Sequence, residues 1–140
     1  MAYDENAMKG LTDVFEAALE GARAEYVEIC QRVKDLQQKL HELDKTTHSE
    51  AQIAGVGFSA TGADLAWRTW VEQRRRIMMR DLAKLMAHRE GVRERLRIAN
   101  GKAKSFEAVV SEKRRKQLLS ERQKAQKQLD FNMTIQSLNS

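Results

Sequence analysis

Apolar and aromatic residues recur along the first third of the chain at alternating steps of four and three: Phe15, Leu19, Ala22, Tyr26, Ile29, Val33, Leu36, Leu40 and Leu43. A mean step of about 3.5 residues puts all of them on one seam of a helix, the pattern that makes helices wind about one another. A second run follows the same rhythm through Met78, Leu82, Leu85, Arg89, Val92, Leu96, Ala99, Ala103, Phe106 and Val110. Beyond Val110 the stripe thins to Leu118, Ala125, Leu129 and Met133. Two stripes joined by one short connection predict an all-α fold: a long two-helix antiparallel coiled-coil hairpin with an extended C-terminal helix.

The pattern also sets the boundaries. Helix 1 is expected from about residue 7 to about residue 47, capped by Asp4 or Asn6 and ended by Thr46-Thr47-His48-Ser49. The connection, about 48–61, gathers Gly55 and Gly57 with Ser49, Ser59 and Thr61, just ahead of Gly62. Its Gly-Val-Gly lacks the preceding strand and third glycine of a dinucleotide loop, so it reads as a turn. Helix 2 is expected over about 62–136, with Thr61 and Asp64 as its capping pair. At 1.5 Å per residue, helix 2 would reach roughly 100 Å against roughly 60 Å for helix 1. Helix 1 would then cover helix 2 only to about residue 105. The whole of 1–140 is expected to be one coiled-coil domain.

Composition agrees with long solvated helices: the 140 residues include no proline, and 32% are charged. A hairpin has a narrow seam rather than an enclosed interior, which argues against a deep substrate pocket and against an enzyme. Charge is unevenly divided. Residues 1–50 hold 11 Asp and Glu against 6 Lys and Arg, a balance of −5; residues 62–140 hold 19 Lys and Arg against 9 Asp and Glu, a balance of +10. An acidic helix lying on a basic one uses part of that difference, and the excess cations face solvent or a partner.

Little else in the chain suggests chemistry. Cys30 is the only cysteine, so no internal disulfide forms, and no Cys/His set has metal spacing. His41, His48 and His88 are scattered with no nucleophile placed beside them. No catalytic constellation, cofactor site or metal site is expected. The acidic start and dispersed apolar residues predict neither a secretory signal nor a membrane span, and the reading is cytoplasmic. Arg89 stands in the seam, where its stem packs while its guanidinium reaches outward.

Two surface features remain. Trp67 and Trp70 lie three apart near the start of helix 2, with Arg74 one turn on. They either cover the loop end of the hairpin or form a patch for a partner. The basic runs Arg74-Arg75-Arg76 and Lys113-Arg114-Arg115-Lys116 point around the helix rather than along one face. The second run lies where helix 1 is not expected to reach.

The C-terminal segment is the most distinctive. It reads Lys104-Ser105-Phe106-Glu107-Ala108-Val109-Val110-Ser111-Glu112-Lys113, then Glu121-Arg122-Gln123-Lys124-Ala125, closing on Gln126-Lys127-Gln128-Leu129-Asp130. In length, hairpin layout and this closing element the chain resembles the FliJ family of flagellar export proteins. Members commonly continue with an acidic residue where this chain has Phe131-Asn132. The resemblance implies a non-enzymatic component of flagellar type III protein export, a soluble general chaperone with the fold of a rotary ATPase central stalk. It implies binding to the export ATPase ring, to the cytoplasmic part of the membrane export gate and to export chaperones. Arg114, Arg115, Lys116, Arg122, Lys124, Lys127 and Asp130 are the expected ATPase-side contacts, and Trp67, Trp70 and Arg74 the expected gate-side contacts. The competing readings are a homo-oligomeric structural scaffold and, behind it, a nucleic-acid-binding coiled coil. The latter has the positive charge but no aromatic interleaving or recognised motif.

Overall fold

The computed structural model describes residues 4–53 and 62–140. They form two helices, α1 (Glu5–Ile53) and α2 (Ala63–Asn139), packed on each other as a helical hairpin. Asp4 caps α1: its carboxylate accepts from the Ala7 amide at 3.1 Å, and its carbonyl accepts from Met8 at 3.0 Å. The other cap candidate, Asn6, lies inside the helix. At the start of α2, the Gly62 carbonyl accepts from the Ala66 amide at 3.3 Å. Gly62 has φ +73°, a left-handed conformation that side chains with a Cβ rarely adopt. Thr61, the expected partner of Asp64, lies outside the described residues; Asp64 pairs with Arg68 at 3.1 Å.

Helix α1 runs through Ile53 rather than stopping near residue 47, so residues 48–53 belong to the helix and not to the connection. The reason is visible at Thr47. It remains in the 4–3 rhythm, half-buried, and its hydroxyl donates to the Leu43 carbonyl at 2.8 Å. The same rhythm extends the other way to Thr12, half-buried, whose hydroxyl donates to the Met8 carbonyl at 2.9 Å. Each threonine satisfies its polar group within the helix and leaves its methyl for the seam. Helix α2 ends at Asn139, a little beyond the expected 136.

The described chain forms two compact units. One joins Gly21–Arg97, the other Met1–Glu20 with Ile98–Ser140. In the first, α1 buries Ile29, Val33 and Leu40, and α2 buries Val71, Met78 and Val92. Val33 and Val92 are the most completely enclosed, at 1% and 0% exposure. Ion pairs cross between the helices, among them Glu25 with Arg95 at 2.8 Å and Asp44 with Arg75 at 3.3 Å. As the number on α1 rises from 25 to 44, that of its partner falls from 95 to 75, which is antiparallel pairing.

This unit extends the seam of α2 upstream of Met78. Asp64, Val71, Met78, Leu85 and Val92 repeat every seven residues and are all buried or half-buried. The alternate positions hold Arg68, Arg75, Leu82, Arg89 and Leu96. Arg68 and Arg75 leave the seam for Asp64 and Asp44, whereas Arg89 is half-buried.

In the second unit the pairing is shorter. Leu19 is buried, and the rings of Phe15 on α1 and Phe106 on α2 meet at 5.0 Å with a 40° tilt. Met8 and Thr12 on α1 and Ala103 and Val110 on α2 are half-buried around them. After Val110 every residue of α2 is exposed.

Candidate partner-docking surfaces

The helical segment 111–139 owes its order to local interactions. It carries seven Lys and Arg against three Asp and Glu, a balance of +4. Each carboxylate is engaged by its own helix. Glu112 accepts from Arg115 at 2.7 and 3.1 Å and lies 3.9 Å from Lys116. Glu121 accepts from Gln117 at 3.1 Å, and Asp130 from Gln126 at 3.1 Å. The hydrogen bonds from Arg115 hold the Glu112 carboxyl below its ordinary value against an opposing desolvation effect, with smaller help from the charges of Arg115 and Lys116.

The expected ATPase-side residues therefore divide. Arg115 and Lys116 are turned toward Glu112, and Asp130 toward Gln126. Arg114, Arg122, Lys124 and Lys127, joined by Lys113, are exposed and form no ion pair or hydrogen bond among the described residues. The run 113–116 winds around the helix and presents no single face. Lys124 and Lys127, three apart, share one side.

The segment also exposes more apolar surface than its stripe suggested. Leu118, Leu129 and Met133 are 50%, 57% and 66% exposed, and Phe131, Ile135 and Leu138 add 63%, 40% and 81%. These last three were missed as a group because the intervening polar residues hide their spacing of four and three. Counting heptads onward from Val110 finds them.

The expected gate-side residues lie in the unit Gly21–Arg97. Trp67 and Trp70 stack at 5.3 Å with a 22° angle between planes. Trp67 is half-buried, and its buried indole nitrogen has no hydrogen-bond partner among the described residues. Trp70 is 50% exposed. Arg74 is exposed on the same side, without an ion pair among the described residues. Its neighbours Arg75 and Arg76 are taken up by Asp44 and Glu72.

Other features offer less. A shallow groove between α1 and α2 is lined by Arg32, Asp35, Leu36, Lys39, Asp81, Lys84 and Leu85, alternating charges with two leucines. Tyr26 is linked by a side-chain hydrogen bond to Cys30, which raises its pKa, while the positive charges of Arg93 and Arg89 oppose that rise. Among the described residues no three His, Cys, Asp or Glu side chains gather as a metal ion requires, and no helix is long and apolar enough to cross a membrane. Comparison of the chain with protein-family models, with curated proteins and with solved structures finds no match.

Proposed function

We propose that this chain is a non-enzymatic component of flagellar type III protein export, in which the hairpin presents the end of α2 to the export ATPase ring. The observation that carries the reading is the bare basic helix after Val110. Nothing on α1 covers it, and five of its cations have no partner among the described residues. The resemblance of Gln126-Lys127-Gln128-Leu129-Asp130 to the closing element of the FliJ family gives that helix an occupant. Arg114, Arg122, Lys124 and Lys127 supply the steering charge, and Arg115 and Lys116 become available once a partner carboxylate competes with Glu112. Asp130 is the acidic contact at the far end of this stretch. On the same reading the protein works in the cytoplasm beside the inner membrane and serves export chaperones. The stacked Trp67 and Trp70, with Arg74, form the contact to the export gate.

Pull-down of the flagellar export ATPase by the full chain, and by a chain lacking residues 112–140, tests the reading. Binding by the full chain alone supports it, and equal recovery with both removes the ATPase assignment. Replacing Arg114, Arg115 and Lys116 with Ala should weaken ATPase binding and ring assembly by about tenfold; unchanged assembly discards these three residues.

A second reading, a homo-oligomeric scaffold, draws on the exposed apolar residues of the same segment. Sedimentation separates the two: a hairpin that fills its own seam stays monomeric, and a scaffold associates as concentration rises.

A further inference from the structure

The basic run does not account for the last turns of α2. Phe131 and Leu138 are seven residues apart, one heptad, so they share one side of the helix. Ile135 stands between them, four after Phe131 and three before Leu138. At 63%, 40% and 81% exposure, these three side chains form a ready anchor of the i, i+4, i+7 kind with no described residue against it. One and two turns back, Lys127 and Lys124 occupy the same side, exposed and without an ion pair among the described residues. That side is therefore cationic for two turns and apolar for the next two. The two neighbouring carboxylates, Glu121 three residues before Lys124 and Asp130 three after Lys127, accept from Gln117 and Gln126.

We propose that this face is a helix-docking site for a partner protein: an amphipathic helix whose apolar stripe covers Phe131, Ile135 and Leu138 and whose acidic residues, one to two turns along, meet Lys127 and Lys124. The charge pattern selects this occupant over the alternatives. A second copy of the tail, laid antiparallel about Phe131, sets Lys124 against Leu138 and Lys127 against Ile135. Laid parallel, it sets lysine on lysine. Neither arrangement gives an ammonium group a carboxylate, and like charges in register oppose pairing. An anionic lipid surface suits a helix with one broad apolar side. Here Leu129 and Met133, at 57% and 66% exposure, lie on the opposite side from Phe131, so no flat orientation immerses both sets. The site shares Lys124 and Lys127 with the proposed ATPase contact, but its anchor, Phe131, Ile135 and Leu138, lies outside the residues assigned to that contact.

The test uses the full chain and a synthetic fluorescent helix of about three heptads, with leucine at its core positions and glutamate flanking them in one half. A control peptide carries lysine in place of glutamate. Anisotropy should show the glutamate peptide binding at least about tenfold more tightly than the lysine peptide. The variant F131Q/I135Q/L138Q should lose about tenfold or more of that affinity, and K124Q/K127Q about threefold to tenfold. Glutamine keeps helix propensity, and unchanged circular dichroism establishes that the variants still fold. Equal binding of the two peptides, or undiminished binding by the triple glutamine variant, overturns the proposal. So does failure to bind the glutamate peptide, whether accompanied by self-association in sedimentation or by binding to phosphatidylglycerol vesicles. No ATPase is present, so this outcome is independent of the export reading.

Discussion

Val33 and Val92 are nearly without solvent contact, and truncating either to Ala removes buried methyl groups from a seam that has few to lose. Each substitution should lower unfolding free energy by about 1.5–2.5 kcal/mol in urea titration. Gly62 makes a different kind of prediction. A Cβ there would meet no neighbour, so the cost of Gly62→Ala comes from its φ of +73° alone. A loss of about 1 kcal/mol is expected from the same titration. At Glu112 the argument is electrostatic. Its pKa is lowered in the helix, so its contribution is fully present above the unfolded value and fades as pH falls through the lowered folded value. Circular dichroism of the full chain should show helicity falling on acidification below about pH 4.5. Because Glu94 is likewise lowered by Arg97, E112Q should reduce that acid-driven loss without abolishing it.

For single elements, periodicity was a sound guide wherever the seam stayed apolar. Both helices follow from the 4–3 steps, and the bare end of α2 follows from its excess length. The misses have local causes. Thr46-Thr47-His48-Ser49 looked like a stop, yet Thr47 keeps phase and feeds its hydroxyl to Leu43. Val71 and Asp64 continue the seam of α2, but Arg68 and Arg75 stand at the alternate positions and break the visible stripe. Both arginines leave the seam for carboxylates, one of which, Asp44, sits on the other helix. Since no residue after Val110 is even half-buried, the end of α2 adds nothing to the seam. Removing residues 112–140 should therefore leave the urea midpoint of the hairpin unchanged, while mean helicity per chain falls.

Across the whole molecule, charge and cover are distributed on different principles. The −5 of residues 1–50 and the +10 of residues 62–140 suggested wholesale pairing of an acidic helix with a basic one. Pairs such as Glu25–Arg95 and Asp44–Arg75 do cross, but Arg32–Glu28, Arg97–Glu94 and Arg115–Glu112 close within a single helix. All are exposed, where a pair contributes about 0.2–1 kcal/mol at most. Charge therefore serves orientation and partner choice, and the valine, leucine and phenylalanine contacts provide stability. If the hairpin fills its own seam, analytical ultracentrifugation at micromolar concentration should give a monomer, and association at that concentration would favour the scaffold reading.

The sequence alone determined that the chain is helical, where each helix shows its apolar side, and that α2 outlasts α1. These are properties of residue spacing within one element, set by the 3.6-residue turn and the absence of proline. Tertiary structure decided the rest: that Phe15 meets Phe106, that Asp44 takes Arg75, that Trp67 and Trp70 stack, and which cations on α2 are left without a carboxylate. Register depends on how side chains from two distant segments fit together. A stripe repeating every seven residues accepts several offsets until those side chains are in place.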